Sequence, residues 1–412
     1  MTLQEEDHEN TIQTLCRERK LNRAVEVLFH SIPSPSHHTY ISLLRACTNL
    51  KSLSHTHHVH AYYHLYSCNN RALYLLIGSY LIVALAKCGA LSDAFHISHG
   101  LPSFHRSVFS WTSIISACVD HGHGHEALRM YGFMLEDGFQ PNGFTYASLF
   151  KACGMIGDLS QGMRLHADAH VEGILSYEDL FVCNSLLSMY GKCGGIKESE
   201  DVFHMLPRRN IVSWSAMLSV YVETENSASK ALRLYRQMRE EGVDPNAHTL
   251  VFALQACCAL SLVYMDYNRM KTLVNANGEE EEEAPIIVFE IVQGMHSYAL
   301  RKNYAFDAFV GTSLLGVYGK CGAIREAEHV FVGALIEHNH DVVVWNAMLS
   351  VYAEQGHGKE VLLLFREMIM RHEKEGGVCA NDLSFVMALE ACGILAEQEE
   401  MLSIKCRASA DI

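Results

Sequence analysis

With three tryptophans, seven prolines and no C-x-x-C pair in 412 residues, the chain excludes several classes of protein at once. Its fourteen cysteines lack the spacing of a zinc ribbon or a thioredoxin-type motif, and nothing argues for a disulfide-built secreted protein. No run of 18 apolar residues occurs, so no membrane span is expected; the apolar stretch Leu73 to Leu85 is too short and belongs to the core. Neither a Walker loop nor a nucleophile elbow is present. Positive charge is scarce: 32 Lys and Arg against 47 Asp and Glu leave a formal net charge of −15, unhelpful for holding phosphates. The few prolines leave long helices uninterrupted, and a hydrophobic content of 49% is ample for a core.

What is present is repetition. The three tryptophans stand in one recurring phrase: Ser110-Trp111-Thr112, Ser213-Trp214-Ser215 and Val344-Trp345-Asn346, spaced 103 and 131 residues apart. Lys87-Cys88-Gly89, Lys192-Cys193-Gly194 and Lys320-Cys321-Gly322 keep step at 105 and 128. Ala46-Cys47, Ala152-Cys153, Ala256-Cys257 and Ala391-Cys392 form a third series. A unit of about a hundred residues is thus repeated, with one insertion of about 25 residues. A fixed internal period is the signature of a solenoid, in which each unit touches only its neighbours. Half of the cysteines lie at these recurrent positions, where a thiol acts as a small hydrophobe.

Each unit divides into three parts able to form two helices. From Val108, residues Trp111 to Cys118 form a first helix and Gly122-His123-Gly124 breaks it. Ala127, Met130, Tyr131 and Met134 then give a second helix an amphipathic stripe, repeated by Ala231, Leu234, Tyr235, Met238 and by Val361, Leu364, Phe365, Met368. Glycine and proline close the part at Gly138-Phe139-Gln140-Pro141-Asn142 and Gly242-Val243-Asp244-Pro245-Asn246.

Helix pairs of about 35, 36 and 31 residues in rotation resemble the P–L–S triplets of the plant pentatricopeptide repeat family. The phrases Met189 to Phe203 (MYGKCGGIKESEDVF) and Asn346 to Met368 (NAMLSVYAEQGHGKEVLLLFREM) are similar to its consensus. On this resemblance the chain divides into a degenerate repeat at 9–36, L 37–74, S 75–107, P 108–142, L 143–179, S 180–210, P 211–246, L 247–307, S 308–341, P 342–381 and a weak L at 382–412. The fold it implies is an all-α, right-handed superhelical α-solenoid of stacked two-helix repeats. The L unit at 247–307 is interrupted after Leu260, and its run Glu279 to Glu283 predicts a solvated, disordered loop at about 262–290. The acidic start Met1 to Asn10 lacks the arginine-rich, acid-poor character of an organellar transit peptide.

The resemblance implies that each repeat meets one base of single-stranded RNA, through its fifth and its last residue. Guanine and uracil present a ring N–H that a carboxylate accepts; adenine and cytosine present a bare ring nitrogen that an asparagine amide satisfies. Thr112 with Asn142 then suggests A, Asn184 with Asn210 C, Ser215 with Asn246 A, Thr312 with Asp341 G, and Asn346 with Asn381 C. Ser79 with Ser107 fits no clear pairing, and the apolar fifth residues of the L units (Ala147 with Asp179, Val251 with Asp307) should discriminate weakly. The expected site, 5′ to 3′, is A-n-C-A-n-G-C. Each residue also has a plainer role, since Asn and Ser cap helices and Asn after Pro is ordinary turn chemistry.

Lys87, Lys192 and Lys320 recur at one phase after the first helix, as candidate phosphate contacts or as solvated lysines at helix ends. His121-Gly122-His123-Gly124-His125 has the look of a metal site, but its counterpart Gly356-His357-Gly358 marks it as turn punctuation. Members of the P–L–S subfamily often end in a cytidine-deaminase-like domain, which needs H-x-E followed by C-x-x-C. Here the one H-x-E, His170-Val171-Glu172, falls within an L unit, and the expectation is a chain without the E/DYW-type extension. The expectation is a non-catalytic, monomeric adaptor without cofactor or metal. It would bind organellar RNA, in mitochondrion or chloroplast, and recruit a separate editing or processing enzyme. A helical scaffold for protein partners, favoured by the acidic charge, and a truncated or decayed editing-factor relative are the alternatives.

Overall fold

The computed structural model describes residues 3–30, 36–67, 71–100, 107–274, 283–338, 341–375 and 379–410. The chain folds as two compact units, Met1–Arg208 and Arg209–Ile412. The first holds α1 (Leu3–Arg17), α2 (Leu21–His30), α3 (His37–Asn49), α4 (Leu53–Ser67), α5 (Arg71–Lys87), α6 (Leu91–Gly100), α7 (Val108–Asp120), α8 (Gly124–Glu136), α9 (Gly143–Ile156), α10 (Leu159–Val171), α11 (Leu180–Lys192) and α12 (Ile196–Met205). The second holds α13 (Ile211–Glu223), α14 (Ala228–Glu240), α15 (Ala247–Val274), α16 (Glu283–Arg301), α17 (Ala308–Lys320), α18 (Ile324–His338), α19 (Val342–Glu354), α20 (Gly358–Glu375) and α21 (Asp382–Ala410). Among the described residues there is no strand, and no helix is long and apolar enough to cross a membrane.

First helices begin at residues 37, 108, 143, 180, 211, 247, 308, 342 and 382, as the repeat spacing predicts, but α5 begins at Arg71, four residues before the start expected at 75. Within each unit they pack side by side: α1 on α3, α3 on α5, α5 on α7, α7 on α9 and α9 on α11, then α13 on α15, α15 on α17, α17 on α19 and α19 on α21. In α7 the buried face is Trp111, Ile114, Ile115 and Cys118, a helical stripe, and α8 buries the expected Ala127, Met130, Tyr131 and Met134 against it. The three tryptophans are almost wholly inaccessible, at 0–1% exposure.

The Lys-Cys-Gly phrase is a helix stop. Lys192 is the last residue of α11, Cys193 is the C-cap, and Gly194 takes φ +77°, where a side chain would be strained. The thiols that follow these stops tie repeats together. Cys88 Sγ–H donates to the Cys47 carbonyl (3.8 Å) and Cys193 to that of Cys153 (3.5 Å), linking two recurrent cysteine series. Burial pushes the Cys47, Cys153 and Cys257 thiols up to about 12, so they remain neutral packing groups. Cys392 departs from its series by being exposed.

Four further expectations change. The acidic start is helical from Leu3, giving the first repeat a complete pair, because no glycine or proline interrupts Leu3 to Lys20. Gly124 opens α8 rather than breaking the chain, the turn being made by His121 to His123. The segment expected as a loop at 262–290 is helical over 262–274 and 283–290, as the ends of α15 and α16; residues 275–282 lie outside the described residues. The weak L unit at 382–412 is one 29-residue helix rather than a pair. The last two share a cause. Gly157 ends α9 with φ +77°, and Ser261 and Ala396 stand at the equivalent positions, so α15 and α21 lack that stop and run on.

Candidate nucleic-acid interface

The last residue of most repeats is the N-cap of the next first helix, whereas Tyr74, the expected end of the repeat at 37–74, lies inside α5. Asn142, Asp179, Asn210, Asp307 and Asp341 each accept backbone N–H bonds through Oδ1 in the first turn of the following helix. Asn246 accepts from the Thr249 amide (2.9 Å) and Asn381 from the Ser384 amide (3.1 Å) in the same way. The capping role and the base-reading role use different atoms. Capping occupies Oδ1 and leaves Nδ2 of Asn142, Asn246 and Asn381 with no protein partner among the described residues. A capping aspartate likewise keeps Oδ2 as an acceptor.

A buried hydroxyl three residues beyond the cap completes the cluster. Thr145, Ser213, Thr249 and Ser384 are 0% exposed, and each hydroxyl meets its cap within 2.9–3.3 Å. The spacing Asn-x-x-Ser/Thr was visible at every one of these boundaries as a capping-box variant.

The fifth residues divide. Asn346 Nδ2 donates to Asn381 Oδ1 (3.0 Å), and Ser384 Oγ lies 2.6 Å from Asn346 Oδ1, so this pair is locked. Thr112 reaches Asn142 through Thr145, its hydroxyl 2.7 Å from that of Thr145. Ser215 and Thr312 do not join their expected partners through their hydroxyls. They bond back to the carbonyls of Ile211 (2.7 Å) and Ala308 (2.8 Å), the usual local competition for a hydroxyl inside a helix. Asn184 belongs to the first unit and Asn210 to the second. Ser384→Ala is expected to cost about 1–3 kcal/mol, because the buried Asn346 carbonyl loses its donor. Urea denaturation measures it, and a change below a few tenths would contradict the network.

The second residue of seven first helices is apolar yet exposed, while in α15 it is His248. Phe109, Phe144 and Phe181 in one unit, and Val212, Phe309, Val343 and Leu383 in the other, show 50–73% of their surface. They lie two residues after the caps, at the same helix ends, and Phe144 and Phe181 sit with ring centroids 5.3 Å apart. Each exposed large apolar side chain forgoes burial free energy, and a recurrent row of them is a candidate ligand surface. The signal was the apolar residue directly after each cap's neighbour, one phase away from the buried stripe.

Positions two, five, nine and thirteen share one helix face, exposed at position two and buried at position five in Ala147 and Asn346. Two of its cations are committed: Lys151 pairs with Asp120 (2.9 Å), and Lys320 with Glu354 (2.6 Å) across α17 and α19. Lys87 and Lys192 end their helices exposed, where a cation also suits the negative end of the helix dipole. The histidine run is a turn, with His121 as C-cap, Gly122 at φ +85° and His123 as N-cap. Glu172 of the H-x-E phrase accepts the Tyr146 hydroxyl proton (2.9 Å).

The profile of the PPR repeat family matches residues 106–155 and 209–259, and that of the PPR repeat matches 181–211 and 343–372, in phase with the helix pairs. The chain belongs to the pentatricopeptide repeat family. It is 30% identical over 409 residues to the chloroplastic pentatricopeptide repeat-containing protein CRR2 of Arabidopsis thaliana, covering 96% of this chain and 55% of that protein. A second chloroplastic relative from the same plant is 31% identical over 369 residues, covering 90% of this chain and 53% of its own. A putative mitochondrial one is 30% identical over 389 residues, covering 92% and 54%. The chain spans about half the length of these curated relatives. The crystal structure of the pentatricopeptide repeat protein PPR10 from maize shares the fold, with a TM-score of 0.52 at 16% identity over 95% of this chain and 58% of that one.

Proposed function

We propose that the chain binds single-stranded RNA along the open face of its first helices, one base to each helix pair, as a non-catalytic adaptor. One observation supports this: a cap whose amide nitrogen has no protein partner among the described residues stands beside an exposed apolar residue in two repeats, at Asn142 with Phe144 and at Asn381 with Leu383. A base needs both parts, a flat apolar surface for its ring and a polar atom at its edge. The rotation of repeat lengths supports assignment to the P–L–S subfamily, and with it a role in C-to-U editing or processing of organelle transcripts beside a separate enzyme. The organellar names of the relatives support a mitochondrial or chloroplast address. Asn346 and Asn381 meet directly, and Thr112 and Asn142 are linked through Thr145, so A and C at those repeats should carry most of the discrimination. Lys87 and Lys192 are the phosphate contacts that need no rearrangement, while Lys320 would have to leave Glu354.

Phe144→Ala is expected to weaken RNA binding by about 1–3 kcal/mol, the usual worth of one stacked base. Stability should hardly change, because Phe144 is 66% exposed. Gel shift and thermal melting on the same preparation check both halves. Equal affinity for the A-n-C-A-n-G-C site and a scrambled oligonucleotide would leave the protein scaffold, which the net charge of −15 favours, as the better reading.

A further inference from the structure

We propose that a cavity lined by Arg17, Arg19 and Arg45 in the first unit is a phosphate site, which holds the RNA backbone on the 5′ side of the base-reading repeats. The proposal rests on the RNA-binding reading above. The cavity, of about 630 Å³, opens between the C-terminal ends of α1 and α3, and no acidic residue lines it. That is unusual in a chain with 15 more acids than bases. Elsewhere on the open face Lys151 and Lys320 are held by carboxylates of neighbouring repeats. Here the neighbouring acid in sequence, Glu18, is engaged by Lys20 at 2.7 Å.

Two helix C-termini bring about half a negative charge each, so three guanidinium groups leave the cavity roughly two charges positive. Arg45 is positioned by the Tyr80 ring, 5.7 Å from its centroid. Arg19 is placed by the turn that ends α1, with φ +61° and its N–H donating to the Cys16 carbonyl (3.3 Å). Ser42 and Asn49 add neutral donors on the opposite wall. Cys16 also lines the cavity, and burial raises its thiol to about 11, so it adds no negative charge. Planar guanidinium forks suit phosphate oxygens, and lysine at the same places would not pair bidentately.

Arg45 is the ninth residue of its repeat, as Lys151 is of its own, so the cavity lies on the same face as the base-reading positions of this unit. At one base per repeat, RNA that continues upstream of the base at Thr112 by about three nucleotides reaches these first repeats.

The test compares the full chain with the double variant Arg17→Gln and Arg45→Gln on two RNAs. One carries the A-n-C-A-n-G-C site alone, the other the same site with about six more nucleotides on its 5′ side. For the unaltered protein, the extension should strengthen binding about tenfold, with a steeper salt dependence. The double variant should lose that gain, and its salt slope on the longer RNA should fall by about 1.4, or 0.7 for each phosphate contact. Its unchanged affinity for the shorter RNA shows that it is folded. An extension gain that survives in the double variant overturns the proposal while leaving the RNA reading intact. If neither RNA binds the unaltered protein, the RNA reading itself falls and takes this site with it. Inorganic phosphate, added at constant ionic strength, should leave the gain in place; its abolition would identify free phosphate as the ligand and overturn the RNA assignment.

Discussion

Asn381→Asp is expected to switch the base preferred at the repeat of Asn346 from cytosine to uracil, by roughly 10- to 100-fold. The magnitude is that of one hydrogen bond to a charged group gained by one base and denied to the other, about 1.5–3 kcal/mol. Asparagine presents an amide N–H to the bare ring nitrogen of cytosine, whereas a carboxylate accepts the ring N–H of uracil and repels that nitrogen. The substitution is clean for a structural reason. Oδ1 of residue 381 accepts from the Ser384 amide (3.1 Å) and from Asn346 Nδ2 (3.0 Å), and an aspartate oxygen does both equally well. Asp and Asn are comparable N-caps, so stability should move by less than about 0.5 kcal/mol. Titrating two RNAs that differ only at this base gives the ratio. An unchanged ratio with binding intact would mean that Asn381 only caps the helix.

Trp345→Ala should cause the largest loss of stability of any single truncation considered, about 3–5 kcal/mol. Trp345 is 0% exposed, meets Phe331 edge-on at 5.3 Å and lies under the Arg371 guanidinium at 5.5 Å. It therefore joins α18, α19 and α20, the helices of two successive repeats. Stability in a repeat array is close to a sum of repeat and nearest-neighbour terms, so the damage should stay local. Hydrogen exchange is expected to speed up through α17 to α21 while α7 to α11 keep their protection. A loss below about 1 kcal/mol, or exchange that rises evenly along the chain, would show that the array unfolds as one block.

The helix pairs were legible because burial imposes a period, and the period is written in residue types. Trp111, Trp214 and Trp345 marked the buried face, and Lys-Cys-Gly marked the ends of three first helices. The ends of α15 and α21 were not legible in the same way, since each lacks the stop glycine that Gly157 supplies to α9. Length and acidity suggested a loop after Leu260, but helix propagation continues until something interrupts it. In the candidate site, Asn142, Asn246 and Asn381 were identified, whereas Thr145, Thr249 and Ser384 were not. A hydroxyl three residues into a helix looks unremarkable until its burial against the cap is seen.

The sequence by itself determined most of the helix starts, from Val108 to Asp382, and with them the residues that share one face. These follow from local rules of capping and amphipathic period that need no distant partner. Only the tertiary structure decided which atoms remain for a ligand. Asn346 locks onto Asn381 while Ser215 and Thr312 turn back to their own helices, a choice among hydrogen bonds of similar strength that packing settles. Likewise Lys320 meets Glu354 across two repeats, while three arginines gather without an acid in the first unit. Net charge counts residues, but attraction depends on distance and on what lies between, and only the fold sets those.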